Sequence, residues 1–212
     1  MTPQALIFDI DGTLWDSRAL VAEGYNLQLR DEGLDRLCVN AEQLRPLFGQ
    51  VITAIADALL GSIPEGERYG LMERCMAREN RYLAENPCDI GYPEIRETLE
   101  ALAEKFDLYI VSNSQRDYPE LCMEKLGIAR LIRGHLCFGD TGTPKDQTIL
   151  RLLREHTISS AMYIGDTQAD CDSAHAAGIP FLWAAYGFGK ATDYDDMVSQ
   201  PRELRKLLNQ QK

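Results

Sequence analysis

The sequence predicts an α/β protein, built on a doubly wound parallel sheet with an inserted α-helical segment. Two observations support this fold class. Short apolar runs bounded by turn residues alternate with segments of helical periodicity along most of the chain. Between about residues 16 and 87 the alternation stops, and only helical periodicity remains. The 212 residues are enough for one core and a smaller inserted module.

Four apolar runs are predicted to be strands: Leu6–Phe8, Leu108–Val111, Ala161–Ile164 and Pro180–Ala184. Continuous apolar runs of this length are typical of strands that are buried on both faces of a sheet. Because helical segments separate these runs, we expect right-handed crossovers and therefore parallel pairing.

Helices are predicted over residues 93–105, 117–126, 145–156 and 168–177, and a short closing helix over 202–208. In the first of these, Ile95, Leu99 and Leu102 recur at spacings of four and three, which is typical of a half-buried helix. Gly178 follows the fourth, where a glycine commonly ends a helix. Such helices are the crossover connections that a parallel sheet requires.

The helical insertion sets the expected domain boundaries. We expect residues 1–15 and 88–212 to form the α/β core and residues 16–87 to form a separate helical module. Within it, Tyr69, Met72, Met76 and Leu83 are predicted to share one buried stripe of a helix.

The formal net charge of −11 limits the classes of partner. A field of that sign repels nucleic acid and anionic membrane surfaces, and no cluster of lysine and arginine offsets it. No apolar run reaches the ~20 residues that a bilayer-spanning helix needs, and the first residues lack the features of a secretion signal. We therefore expect a cytoplasmic protein without nucleic-acid or membrane partners, whose six cysteines are reduced thiols.

Two acids, Asp9 and Asp11, end the first predicted strand and precede the turn residue Gly12. Acids so close together repel each other, so a metal ion or another cation has to offset their charge. One can act as a nucleophile and the other as an acid or base, as in enzymes that form an aspartyl phosphate. A solvated turn explains the segment equally well, because Asp-Gly is a common turn dipeptide.

Polar residues follow the other predicted strands as well. Ser112 and Asn113 offer a hydroxyl, an amide and backbone N–H groups at an expected helix entrance, which suits an anion, although a helix cap also explains them. Lys145 lies at a predicted helix start, where its positive charge is unfavourable beside the positive end of the helix dipole. Either solvation of the side chain or a specific anionic partner explains its position. Asp166 and Asp170 add oxygen ligands of the kind that Mg²⁺ prefers. Since parallel strands end at one edge of a sheet, we predict that these groups form one site.

In order and position these motifs resemble those of the haloacid dehalogenase-like (HAD) hydrolase superfamily, and the resemblance covers essentially the whole chain. The segment Asp9–Leu14 resembles the first motif, Ser112–Asn113 the second, Lys145 the third and Gly165–Asp170 the fourth. The helical insertion resembles the cap of the phosphoglycolate phosphatase-like branch, and residues 186–189 are a weaker cue to the same branch.

The resemblance implies a Rossmann-like core and a Mg²⁺-dependent phosphatase. It implies that Asp9 attacks phosphorus, and that Asp11 protonates the leaving oxygen and then activates water. It also implies that Mg²⁺ is held by the Asp9 carboxylate, the Asp11 main-chain carbonyl group and Asp166, with Asp170 supporting the metal's waters or Lys145.

The same resemblance implies that Ser112, Asn113 and Lys145 bind the oxygens of the transferring phosphoryl group. That fits the chemistry of phosphoryl transfer, which depends on positioning and on neutralisation of charge. The expected partner is a small phosphorylated metabolite, with phosphoglycolate as the substrate that the branch suggests. No feature of the sequence indicates an oligomeric state.

Three alternatives remain at this stage. A dehalogenase of the superfamily lacks an acid two residues after the nucleophile, so Asp11 argues against it. A sugar phosphomutase needs a second phosphate clamp, for which Arg45 is the nearest cation, but Val21 falls roughly where such enzymes carry a histidine. A non-catalytic phospho-aspartate signalling module has a similar cluster but lacks a long helical insertion after its first strand.

Substrate choice is predicted to reside in the cap, because groups that bind any phosphoryl oxygen cannot distinguish leaving groups. The candidate turn is Phe48, Gly49 and Gln50, since Gly49 permits close backbone approach and Gln50 can donate or accept. Arg45 suits a small carboxylate-bearing substrate. Ordinary packing of Phe48 and solvation of Arg45 explain these residues equally well.

Overall fold

A six-stranded parallel sheet forms the centre of the α/β unit in the computed structural model, which describes residues 3–209. Its strands are β1 (Ala5–Phe8), β2 (Asp107–Ser112), β3 (Ile132–Cys137), β4 (Ala161–Gly165), β5 (Phe181–Ala184) and β6 (Asp196–Val198). They lie in the order β3-β2-β1-β4-β5-β6, and every neighbouring pair is parallel. The predicted α/β fold with a doubly wound parallel sheet is confirmed.

Strand β1 lies inside the sheet because its four residues are apolar and suit a position without solvent. All of them are fully buried. Phe8 pairs with Ile110 of β2 on one side and with Ile164 of β4 on the other. The strand order reverses here, and parallel strands end at one edge, so the residues after β1, β2 and β4 are brought together. We call this the carboxyl edge of the sheet.

The α-helices are α1 (Arg18–Asp31), α2 (Ala41–Leu44), α3 (Ile52–Leu60), α4 (Glu65–Glu85), α5 (Ile95–Ala103), α6 (Tyr118–Leu126), α7 (Phe138–Thr141), α8 (Lys145–Glu155) and α9 (Gln168–Ala176). Short 3₁₀ helices cover Asp35–Leu37, Ala129–Leu131 and Pro201–Asn209. The closing helix predicted over 202–208 is thus a 3₁₀ helix. Within residues 3–209, none of the helices combines the length and the apolar character that crossing a bilayer requires.

Helices α8 and α9 cover one face of the sheet. Ile149 and Leu152 of α8 and Ala174 of α9 are fully buried in the same apolar cluster as Ile7 and Tyr163. Burying each large apolar side chain stabilises the fold by roughly 1.5–3 kcal/mol. This packing holds α8 and α9 against the sheet, and both helices begin at the carboxyl edge.

The chain divides into two compact units, one formed by Met1–Asp16 with Ile90–Lys212 and the other by Ser17–Asp89. The first contains the whole sheet. The second contains helices α1 to α4 and the 3₁₀ helix Asp35–Leu37, and no strand occurs among its residues 17–89. The boundaries expected from the sequence lie one and two residues earlier.

In the helical unit, α1 packs against the long helix α4. A Cβ atom on Gly24 would lie 2.6 Å from the Cα atom of Glu79, so the glycine allows the two backbones to approach closely. The buried stripe of α4 therefore includes Cys75 and Glu79. The predicted stripe was wrong at Tyr69, which is 38% exposed, and at Met76, which is only half-buried, because the buried face is rotated toward Gly24.

Strands β3 and β6 were not predicted from the sequence. β3 contains Arg133, which is exposed, and His135, which is half-buried, so it shows no continuous apolar run. β6 has only three residues. Both lie at edges of the sheet, where one side of the strand has no strand neighbour and polar residues are tolerated.

Candidate active site

The carboxyl edge of the sheet gathers ionisable side chains that are almost completely buried. Asp9 directly follows β1, Asp166 directly follows β4, and Ser112 is the last residue of β2. Lys145 is the first residue of α8. Each of these four side chains belongs to a residue that is 5% exposed or less. Burying charges is costly unless they are paired, so their contacts decide what the site can do.

Lys145 supplies a fixed positive charge beside the first acid. Its Nζ atom donates to Asp9 Oδ1 at 2.9 Å and to Asp170 Oδ1 at 2.5 Å. Burial lowers the pKa of Lys145, but the charges of Asp170 and Asp9 raise it, and the result lies well above the usual pKa. Burial also raises the pKa of Asp9, against the opposing charge of Lys145. A phosphoryl group on Asp9 would therefore lie next to a permanent cation.

The carboxylate of Asp166 is held through one of its two oxygens. Oδ2 accepts hydrogen bonds from the backbone N–H groups of Phe188 at 2.7 Å and Gly189 at 3.0 Å. Oδ1 is buried and has no hydrogen-bond partner within residues 3–209. Burial and the nearby charge of Asp170 raise the pKa of Asp166 to about 7. A buried carboxylate oxygen without a donor is a position that a cation would stabilise strongly.

Two glycines allow backbone to approach Asp166 closely. Gly12 has a φ of +83°, and a Cβ atom there would lie 2.3 Å from Asp166 Oδ2. A Cβ atom on Gly187 would lie 2.3 Å from the carbonyl oxygen of Gly12 and 2.4 Å from the Cβ atom of Asp166. Any side chain at either position would force the loops apart. The sequence had indicated no role for residues 187–189 in the site.

Asp170 uses both of its oxygens within the protein. Oδ1 accepts from Lys145, and Oδ2 accepts from the backbone N–H and the hydroxyl of Thr167 at 3.1 and 2.7 Å. Thr167 in turn accepts from the backbone N–H of Asp170 at 3.2 Å, which completes a capping box at the start of α9. Asp170 therefore ties Lys145 to the first turn of α9.

Asp9, Asp166 and Asp170 each offer a carboxylate oxygen, and these oxygens lie within 4.8 Å of one another. Oxygen donors in such a cluster suit a hard divalent cation. The unpartnered oxygen of Asp166 fits a ligand role, whereas the contacts of Asp170 fit a supporting role. The main-chain carbonyl group of Asp11, the third predicted ligand, stays a prediction.

The side chain of Asp11 contacts two aromatic residues. Its Oδ1 atom accepts a hydrogen bond from Trp15 Nε1 at 2.8 Å and from the hydroxyl of Tyr118 at 2.9 Å. Trp15 follows Asp11 by only four positions, and the backbone carbonyl group of Trp15 accepts a hydrogen bond from the N–H of Gly12 at 3.0 Å. The sequence indicated neither contact, and Tyr118 lies 107 positions further along the chain.

Ser112 ends β2, and Asn113 begins the loop that follows this strand. The expected helix entrance was wrong, because α6 begins only at Tyr118, after Asp117 with a left-handed φ of 68°. The hydroxyl of Ser112 accepts from the backbone N–H of Ser114 at 3.2 Å, which closes a local turn. The hydroxyl oxygen of Ser114 is itself buried and lacks a hydrogen-bond partner in the described part of the chain. It is a further polar group at this edge that the sequence had not indicated.

Comparison with known proteins assigns the family. A model of the haloacid dehalogenase-like hydrolase family matches residues 6–184 of the chain. The chain belongs to this family. The phosphoglycolate phosphatase of Aquifex aeolicus (strain VF5) is 30% identical over 215 residues, which cover 97% of each chain. This places the chain in the phosphoglycolate phosphatase-like branch and makes it a HAD-like phosphatase.

Solved structures support the fold of this HAD member. The crystal structure of a predicted phosphoglycolate phosphatase from Haemophilus somnus 129pt aligns with a TM-score of 0.83 at 21% identity, covering 98% of this chain and 99% of that one. A 2-haloacid dehalogenase from Pseudomonas syringae pv. Tomato DC3000 aligns with a TM-score of 0.65 at 27% identity, covering 98% of each chain. One fold thus serves more than one reaction, so the site residues have to distinguish them.

The four cap residues predicted to set specificity lie together in the helical unit of the HAD chain, just after α2. Gly49 has a φ of +84°, which a glycine adopts without strain. Gln50 is exposed, and its Nε2 atom donates to the carbonyl group of Pro46 at 2.9 Å. Arg45 is exposed, with Nη1 at 4.0 Å from Glu42 Oε2. Their role, and that of Phe48, in substrate choice stays a prediction.

Proposed function

We propose that this HAD phosphatase hydrolyses a small phosphomonoester with the help of Mg²⁺, through an aspartyl phosphate formed on Asp9. The observation that carries the proposal is the pairing around Asp9. The buried carboxylate of Asp9 lies 2.9 Å from a buried lysine, and it also belongs to a cluster of acids that fits a divalent cation. This burial argues against a solvated turn, which would bury neither the acid nor the lysine.

Asp9 attacks phosphorus in the first step. The bond between Asp9 and phosphorus forms as the bond from phosphorus to the leaving oxygen breaks, and Asp11 gives its proton to that oxygen. In the second step a water molecule attacks phosphorus, Asp11 takes the water's proton, and the bond to Asp9 breaks. Asp11 ends in its starting protonation state, and the products are an alcohol and inorganic phosphate.

Lys145, Ser112 and Asn113 bind the phosphoryl oxygens in this scheme. Lys145 is charged and held by Asp170, so it requires no rearrangement when negative charge builds up on phosphorus. The carboxylates of Asp9 and Asp166 and the main-chain carbonyl group of Asp11 would hold Mg²⁺. When bound, the ion would neutralise charge on the same phosphoryl oxygens.

The substrate is proposed to be phosphoglycolate or a phosphomonoester of similar size. Relatives that match nearly the full chain carry the name phosphoglycolate phosphatase, and the one from Aquifex aeolicus is 30% identical. We propose that residues 16–87 act as the cap and that Arg45 binds the substrate carboxylate, with Phe48, Gly49 and Gln50 shaping the leaving-group site.

Phosphate release from a panel of phosphomonoesters and pyrophosphate, with and without Mg²⁺, tests the reaction class. Phosphoglycolate is expected to be among the best substrates. Asp9→Asn removes the nucleophile with almost no change in shape and should reduce turnover to below about 1%. Asp172→Asn, which changes an exposed acid on α9, is the matched control and should turn over normally.

Acid quenching of a reaction with ³²P-labelled substrate tests the intermediate. Label should remain on the wild-type chain and be absent from Asp9→Asn. Wild-type turnover by Asp9→Asn, with deamidation excluded by mass spectrometry, would rule out Asp9 as the nucleophile.

A further inference from the structure

The two hydrogen bonds to Asp11 assign a role to residues outside the four motifs. We propose that Trp15 and Tyr118 are positioning residues that fix Asp11 Oδ1 and so orient the carboxyl group that donates and takes back the proton. The proposal rests on the acid–base role of Asp11 in the proposed function. Neither aromatic residue touches the reacting atoms; both act through the carboxyl group.

Both donors converge on one oxygen. An indole N–H can only donate, and Tyr118 donates through its hydroxyl at 2.9 Å, so Oδ1 acts as an acceptor toward both. A carboxyl oxygen has two lone pairs in its plane, and these two donors account for both. In the protonated acid, Oδ1 is then the carbonyl oxygen and Oδ2 carries the hydrogen. The two hydrogen bonds therefore persist in either protonation state.

The donors cannot easily move away. Trp15 is fully buried and Tyr118 is 2% exposed. Their rings pack edge to face, with centroids 5.5 Å apart and an interplanar angle of 78°. The backbone of Trp15 bridges to Gly91, and Tyr118 is the first residue of α6. An acceptor held by two rigid donors has little freedom about its own side-chain torsions.

Packing alone does not account for this arrangement. A buried indole or phenol needs an acceptor, and a backbone carbonyl group is sufficient. The chain uses that solution elsewhere: Trp183 donates to the carbonyl oxygen of Asp166, Tyr163 to that of Val111 and Tyr186 to that of Thr13. Trp15 and Tyr118 instead share the side chain of the proposed acid–base residue.

Asp11 gives up one proton and takes one back in each catalytic cycle. As the phosphorus–oxygen bond of the substrate breaks, the Oδ2–H bond breaks and the proton moves to the leaving oxygen. When water attacks the aspartyl phosphate, its proton moves to Oδ2. A carboxyl group that rotated freely would present the proton in the wrong direction part of the time, and it would be a weaker acid–base catalyst.

Leaving-group dependence separates positioning from damage to the fold. Leaving oxygens of alkyl phosphates need a proton, whereas a nitrophenolate leaves without one. Trp15→Phe and Tyr118→Phe keep the rings and remove one donor each. We expect kcat/KM for an alkyl phosphate to fall about tenfold in each variant and about a hundredfold in the double variant, with kcat/KM for p-nitrophenyl phosphate within about twofold of wild type.

A second readout follows the step in which Asp11 acts as a base. With p-nitrophenyl phosphate the variants should release a burst of nitrophenolate larger than the wild type does, because the aspartyl phosphate forms normally and hydrolyses slowly. Tyr109→Phe is the matched control, since it removes the hydroxyl of a similarly buried tyrosine in the sheet that, in the described part of the chain, is not one of the donors to Asp11 Oδ1. It should leave the ratio of the two kcat/KM values unchanged.

Asp11→Asn sets the benchmark and should lose far more with the alkyl phosphate than with the aryl phosphate. If Asp11→Asn shows this difference while both aromatic variants lose equally on the two substrates, or lose nothing, the positioning role is overturned and the proposed function stands. If Asp11→Asn shows no difference, the acid–base role fails and the positioning role fails with it. Should Trp15→Phe fail to fold, the nearly isosteric Tyr118→Phe tests the proposal alone, through the ratio of its kcat/KM values for the alkyl and the aryl phosphate.

Discussion

Gly187→Ala is a small substitution at a residue that the catalytic chemistry does not require, and it should damage the candidate metal site. The new Cβ atom would lie 2.3 Å from the carbonyl oxygen of Gly12 and 2.4 Å from the Cβ atom of Asp166. Neither obstacle is the mobile end of a side chain, so backbone has to shift. Overpacking of this kind costs about 1–3 kcal/mol, and backbone obstacles favour the upper part of that range. A loss of about 2–3 kcal/mol corresponds to a fall of roughly 4–12 °C in the melting midpoint.

The shift should also weaken cation binding, because the next two residues hold Asp166. The N–H groups of Phe188 and Gly189 donate to its Oδ2 atom, so movement of Gly187 displaces both donors. Loss of such supporting contacts typically reduces metal affinity about 10- to 100-fold. The assay is the rise in melting midpoint on titration with Mg²⁺, together with the Mg²⁺ concentration that gives half-maximal activity.

Gly66→Ala is the control for this experiment. Gly66 lies in the first turn of α4, and a Cβ atom there would meet no atom within 4 Å. Its melting midpoint should equal or exceed that of the wild type, because alanine favours the helix, and its Mg²⁺ affinity should be unchanged. If Gly187→Ala matched the wild type in both measurements, the close approach of residues 187–189 to Asp166 could not be what positions the Asp166 carboxylate.

Activity should require Mg²⁺ and vanish in excess chelator, and full activity in chelator would contradict this. Ca²⁺ should restore at most a few per cent of the activity, because its longer bonds and higher coordination number disturb in-line attack. Arg45→Ala and Gln50→Ala should each lower kcat/KM for the best substrate at least about tenfold and for a generic aryl phosphate less than about twofold, with exposed Arg36→Ala as the neutral control. Asp166→Asn should lower Mg²⁺ affinity more than about a hundredfold and Asp170→Asn about tenfold, measured by the Mg²⁺-dependent rise in melting midpoint. Equal losses would make Asp170 a direct ligand.

The fold could be predicted because each of its inner strands contains a continuous apolar run. Residues of β1 have no exposed face, so hydrophobicity alone marks the strand, and the acid that follows it marks the edge of the sheet. Edge strands give a weaker signal, which is why β3, with Arg133 and His135 in its middle, was missed. A strand of three residues such as β6 is too short for any periodicity to show.

Residues of the candidate site could be predicted only where a local sequence motif contains the reactive group and marks its place at the end of a strand or the start of a helix. Asp9, Lys145 and Asp166 each follow a recognisable strand or begin a recognisable helix. Tyr118 also lies at the start of a predicted helix, but its role could not be predicted, because its contact with Asp11 joins residues 107 positions apart and depends on a left-handed turn at Asp117. The buried stripe of a helix was similarly misplaced where a single glycine, Gly24, decides which face packs. Tertiary contacts of this kind leave no local pattern.

The hydrogen bonds around the acids at the carboxyl edge support the different tasks that we propose for several carboxyl groups in one small volume. Asp166 has one oxygen held by two backbone donors and the other without a partner in residues 3–209, which leaves that oxygen for a cation. Asp170 has both oxygens engaged by Lys145 and Thr167, which makes it a support. Asp11 has one oxygen held by two aromatic donors, which gives its carboxyl group a direction. The residue type is the same in each case. In the proposed mechanism, the number and placement of protein donors on each oxygen, rather than the acid itself, therefore determine whether a carboxyl group binds a cation, fixes the lysine or transfers a proton.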